Sequence, residues 1–293
     1  MVRTKKVKAS VVNDSFILNL SCPDRVGIVH AVTGLLAQSG GNITEAAQFN
    51  DPSTSHFFMR VKFDVPKGAS ITLQDKMVVL EQSMQFTWKL WPVERRMRTV
   101  IMVSKLGHCL NDLLFRHSSD QIALDIRAIV SNHRDYEQLA ASYNIPFHYI
   151  PVTAATKVQA EAQLLNIVKQ QDVELVVLAR YMQVLSRELC RALEGRAINI
   201  HHSFLPSFKG AKPYMQAYEH GVKIIGATAH YVTADLDEGP IIEQDIARVD
   251  HASDPSQLTH IGRDVECLVL SKAVTWHAQH RVLLNGGKTV VFR

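Results

Sequence analysis

Cysteine is scarce: Cys22, Cys109, Cys190 and Cys267 are the four in 293 residues, far apart and with no Cys-x-x-Cys pair. That spacing argues against a disulfide framework or a structural zinc site and leaves buried free thiols as the ordinary reading. Long hydrophobic runs are also missing. No apolar stretch reaches the roughly 20 residues that span a bilayer. No signal-peptide core follows the basic first residues, because Lys8 and Ser10 interrupt 7–12. A cytoplasmic protein with no membrane partner is expected. Charge of one sign is not concentrated either. The net charge is +4, and Arg3, Lys5, Lys6 and Lys8 form a small cluster that reads as a solvated start, so no nucleic-acid partner is expected. The positive excess suits an anionic substrate through its long-range field. What is present is ordinary globular material, 46% hydrophobic and 20% charged, in a chain long enough for two domains.

The two parts have different rhythms. Residues 15–21, 43–49, 56–65 and 86–90 read as strands, and 27–38 and 71–85 as amphipathic helices, with Gly40-Gly41 ending the first helix. This βαββαβ order predicts a ferredoxin-like antiparallel sheet with both helices on one face, over 13–92. Trp91 to Arg96 reads as a linker, with Pro92 and a charge run. From 97 to 293 the strands become continuous apolar runs (99–104, 124–130, 175–179, 197–200), as strands buried on both faces should be. Helical patterns lie between them at 109–116, 134–143, 158–170 and 187–193. Strands at 226–232 and 241–246, a long helix at 255–280 and a strand at 288–292 follow. The fold class is α/β, with a mostly parallel, Rossmann-like sheet whose ligands bind beyond the carboxyl ends of the strands.

The polar chemistry gathers in two places. Asn199-Ile200-His201-His202 ends a short strand, where alternation puts Asn199 and His201 on one side and turns Ile200 and His202 away. About thirty residues on, His230-Tyr231-Val232-Thr233-Ala234-Asp235-Leu236-Asp237-Glu238-Gly239-Pro240 runs from a strand into an acidic turn. Taken singly, Asn199 reads as a turn residue, His201 as a core histidine and Asp237 as a loop cap.

Together, Asn199-Ile200-His201, Ser203-Phe204-Leu205-Pro206, His230-Tyr231-Val232-Thr233 and Leu236 to Pro240 resemble the folate-dependent formyltransferase family from about Arg98 onward. The resemblance implies that Asn199 and His201 stabilise an oxyanion, that Asp237 handles the proton and that His230 supports the site, orienting Asp237. It also implies a folate pocket at Met182, Gln183, Val184 and Leu185, closed by Thr233, Ala234 and Asp235. Plain core packing is the alternative for Met182 and Val184. No metal, covalent nucleophile or cofactor is expected, because the folate is the substrate.

The first third resembles the ACT domain, through Cys22 to Ile28, Leu36-Ala37 and Gly40 to Ile43. Such modules imply an amino-acid effector, near Gly27 and Asn42, and a homo-oligomer, dimer or tetramer. Glycine-rich phosphate loops of ribonucleotide transformylases are reduced here to Gly107 in 103–110, and little chain follows Arg281 for a tRNA-binding domain. An ACT-like module ahead of this catalytic domain resembles the formyltetrahydrofolate deformylases. That implies hydrolysis of 10-formyltetrahydrofolate to tetrahydrofolate and formate, in one-carbon and purine metabolism. Transfer to an unidentified amine, or an inactive folate-binding regulator, stays open.

Overall fold

A computed structural model describes residues 13–203 and 213–293. Phe204, Leu205 and Pro206 of the sequence motif, and the basic cluster from Arg3 to Lys8, lie outside the described residues. The chain divides into two compact units between Arg95 and Arg96.

The first unit contains β1 (Asn13–Pro23), α1 (Ile28–Gln38), β2 (Asn42–Asp51), β3 (His56–Pro66), α2 (Ala69–Met84) and β4 (Thr87–Pro92). Its sheet has the order β2-β3-β1-β4 and is antiparallel throughout. Alternate residues Leu18 and Leu20 of β1 and Val61 and Phe63 of β3 share one core with Val32 and Leu36 of α1 and Leu73 and Met77 of α2. Both helices therefore cover the same face, as the strand period requires. Gly40 takes φ 74°, and the Gly41 N–H donates to Leu36 O at 2.8 Å, so α1 stops on a left-handed residue that satisfies its last carbonyls. One expectation is corrected. Trp91 and Pro92, read as linker, pair with Ile17 and Phe16 as the end of β4. Proline is tolerated there because it is the last residue of an edge strand.

The second unit begins with β5 (Met97–Val103), α3 (His108–Ser118), β6 (Leu124–Ser131), α4 (Glu137–Ser142), β7 (Phe147–Tyr149), α5 (Lys157–Gln170), β8 (Leu175–Leu178) and α6 (Arg187–Ala192). It continues with β9 (Ala197–His201), α7 (Pro213–Glu219), β10 (Ile224–Tyr231), β11 (Ile241–Arg248), α8 (Pro255–Ala278), β12 (Val282–Asn285) and β13 (Lys288–Val291). The main sheet has seven strands in the order β11-β10-β9-β8-β5-β6-β7. From β9 to β7 the pairs are parallel, whereas β10 is antiparallel to both neighbours.

The apolar runs follow from burial on both faces. Ile101 and Val103 of β5 pack with α3 and α8, while Val100 and Met102 pack on the other face with α5 and α6. Each such side chain contributes about 1.5–3 kcal/mol by leaving water. The elements not foreseen are short: β7 has three residues, and β12 turns back on β13 through Gly286-Gly287. The chain order reverses where β5 separates β6 from β8, and ligand crevices open at such switch points. Among the described residues, no helix is long and apolar enough to cross a membrane.

Candidate functional site

Near that switch point lies a cavity of about 270 Å³ at the carboxyl ends of β8 and β9. Asn199, His201, His230 and Asp237 line it together with 182–185 and 233–235. Both polar clusters of the sequence thus meet in one cavity. The segment at Met182 is anchored by Ser104, whose Oγ accepts from the Met182 N–H at 2.9 Å and donates to Asn132 Oδ1 at 2.7 Å. Met182 and Val184 are 55% and 58% exposed, so neither is core packing.

Strand register builds the centre. Ile198 and Ile200 point into the core, which leaves Asn199 and His201 on the opposite face of β9. Asn199 is paired across the ladder with His230 of β10, and a bulge between Ala229 and His230 shifts the register against β11 at that position. Bulges of this kind re-aim a side chain beside a site. His230 Nδ1 lies 2.9 Å from the Tyr231 carbonyl, which can only accept, so the proton sits on Nδ1. Nε2 then accepts from Asn199 Nδ2 at 3.2 Å. Asp237 Oδ1 is 3.7 Å from the same Nε2, beyond a formed hydrogen bond. His230 therefore fixes the Asn199 amide and also lies beside Asp237, near enough to act on its carboxyl.

His201 Nδ1 lies 3.2 Å from Asp237 Oδ2. Its Nε2 is buried and unpartnered among the described residues. Burial alone would raise the Asp237 carboxyl, but His201 and His230 outweigh it and hold the group well below the usual carboxylate range. Asp237 has φ 57°, in the left-handed region where a non-glycine residue is uncommon and often functional. The turn that imposes this is packed against β10. The Tyr231 N–H donates to Pro240 O at 2.9 Å, and a Cβ added at Gly239 would lie 1.7 Å from Tyr231 O. Gly239→Ala must therefore displace the Asp237 turn. Displacement of about 1 Å costs roughly 100-fold in turnover, and steady-state kinetics beside a circular-dichroism melt will show a loss of kcat larger than any loss of fold.

Sequence reasoning missed a second set of polar residues. The strand β9 ends at His201, so alternation no longer governs His202. Its ring stacks on His201 with centroids 4.9 Å apart and lines the same cavity, correcting the expectation that it points away. Arg180 is buried, with φ 64°, and its Nη1 lies 2.6 Å from His202 Nδ1. Arg180 Nε is 3.4 Å from Glu266 Oε2, and His108 Nε2 lies 2.7 Å from the same oxygen. The Tyr214 hydroxyl donates to Glu266 Oε1 at 2.7 Å. Burial opposes the charge on Glu266, but His108, Arg180 and Tyr214 together lower its pKa. The signal was a glutamate in the apolar run Val265-Glu266-Cys267-Leu268 of α8. His108, Cys109 and Glu266 are the described group with ligand atoms close enough for a metal, within 4.8 Å, but both Glu266 oxygens already have protein partners.

The loop after β5 is closed over. A Cβ at Gly107 would meet the Tyr136 ring at 2.2 Å, and the Tyr136 hydroxyl donates to Lys105 O at 2.8 Å. In the first unit, Gly27 precedes α1 and Asn42 begins β2 after it, so the 11-residue helix, about 16 Å long, runs between them. One copy does not bring them into a single small-ligand site.

Comparison with known proteins places both units. The formyl transferase family model matches residues 97–274, and the ACT domain model matches 16–70. A formyltetrahydrofolate deformylase of Corynebacterium sp. (strain P-1) is 49% identical over 94% of this chain and 98% of its own. That of Bacillus subtilis (strain 168) is 45% identical over 94% and 93%. The crystal structure of formyltetrahydrofolate deformylase from Burkholderia mallei ATCC 23344 superposes with a TM-score of 0.93, at 50% identity, covering 96% of this chain and all of that one. With an ACT domain ahead of a formyl transferase domain and that likeness over nearly its whole length, the chain belongs to the formyltetrahydrofolate deformylase family.

Proposed function

We propose that this protein hydrolyses 10-formyltetrahydrofolate to tetrahydrofolate and formate. One observation carries the reading: the Asn199–His230 and His201–Asp237 pairs converge on one cavity, with His201 Nε2 unpartnered among the described residues. The water oxygen attacks the formyl carbon, and the carbonyl electrons move onto oxygen. Asn199 and His201 donate to that oxyanion, each able to contribute on the order of 3 kcal/mol. On collapse the carbon–N10 bond breaks, N10 takes its electron pair and a proton, and formate leaves. Residues 182–185 and 233–235 supply the folate slot. Gly107 is the one glycine in 103–110 and Tyr136 packs on it, so a glycine-rich phosphate cradle is not repeated there, which favours water as acceptor.

In this reading Asp237 is the general base. The depressed proton affinity of its carboxyl favours a second division of labour, in which His201 Nε2 takes the water proton and Asp237 holds the imidazole through Nδ1. His201→Gln separates them: a side-chain amide keeps a donor near the oxyanion and retains part of the turnover if Asp237 is the base, whereas turnover is abolished if His201 is the base. In both cases Asp237 stays ionised through neutral pH, because its folded pKa is depressed. An amino-acid effector at Gly27 and Asn42 fits residues contributed by two copies of the first unit, and activity measured against amino-acid concentration tests it.

A further inference from the structure

His202 lies outside the groups given roles above, yet its ring is built into their cavity. Arg180 Nη1 is 2.6 Å from His202 Nδ1, and a guanidinium only donates. Nδ1 is therefore the acceptor, and the neutral ring must carry its proton on Nε2. Burial, the Arg180 charge and His201 push its pKa down to about 4, so the neutral ring persists at ordinary pH. Its Nε2 is buried and has no partner among the described residues. A buried N–H without an acceptor is costly, and such groups in a reaction cavity call for a ligand. Arg180 is itself fixed, through Glu266, by His108 and Tyr214 from two further helices.

We propose that His202 is a fourth catalytic residue, whose Nε2–H donates to a small oxygen ligand in this cavity, the attacking water or the departing formate. The proposal rests on the hydrolytic reading. A donor of this kind suits a hydrolase. Water can accept on one lone pair and attack with the other, and a ring that resists protonation does not compete with the base for the proton. The relay from α8 has then a function beyond packing: it sets the tautomer of His202.

Two variants separate the donor from the Arg180 contact. In His202→Asn the amide oxygen can replace Nδ1 as the partner of Arg180, but nothing reaches the Nε2 position. In His202→Gln the amide nitrogen can reach that position. The expected result is a kcat lower by about 10- to 100-fold in His202→Asn, with the folate KM and melting temperature unchanged, and substantial rescue in His202→Gln. Inhibition by added formate identifies the oxygen: it weakens in His202→Asn if formate is the ligand and is unchanged if water is. Wild-type turnover by His202→Asn, or equal loss of turnover and stability in both variants, overturns the proposal alone. A wild-type protein that releases no formate overturns the hydrolytic reading and this inference with it.

Discussion

Asp237→Asn is expected to fold and to lose turnover by about 10²- to 10⁴-fold. Asparagine is among the few residues that accept a left-handed backbone, so the φ of 57° is kept. The shape of the turn is preserved and the charge is removed. His201 then loses the carboxylate that lies 3.2 Å from its Nδ1, whichever of the two groups takes the proton from water. Formate release under saturating folate measures the loss, and a melt verifies the fold. Near-wild-type turnover would show that neither proton role belongs to Asp237.

Glu266→Ala is expected to cost about 3–5 kcal/mol of stability, because removing one partner of a buried ion pair strands the other. Arg180 is 8% exposed and would keep its charge without a carboxylate, while Tyr214 and His108 lose their acceptor. At roughly 2–4 °C per kcal/mol for a chain of this size class, the melting temperature should fall by about 6–20 °C. The double variant Arg180→Met, Glu266→Leu should be less damaged than Glu266→Ala, since it buries no unpaired charge. Calorimetry of these variants checks both statements. A Glu266→Ala protein as stable as the wild type would mean that the cluster carries no net electrostatic load.

The order of elements was legible because their periods differ. Alternation through 18–21 and 59–65 marks a sheet buried on one face, and the unbroken run Thr99 to Val103 marks one buried on both. Asn199 and His201 were legible because five extended residues suffice to put them on one side. The strand period stops carrying information at His201, so the stacking of His202 could not be read. Nor could the pairing of His230 with Asn199, which depends on a β-bulge. Arg180 sat just before the segment read as folate-binding, and its charged partner lies 86 positions away. Contacts of that separation, as between Arg180 and Glu266, leave no local pattern.

Water is the proposed acceptor in the cavity of Asn199, His201 and Asp237. Turnover of 10-formyltetrahydrofolate in ¹⁸O-labelled water, with no amine present, tests it directly by mass spectrometry of the formate. Hydrolysis predicts steady release of formate carrying one solvent-derived oxygen. Formyl release that depends on an added amine, with no labelled formate in its absence, would contradict the account.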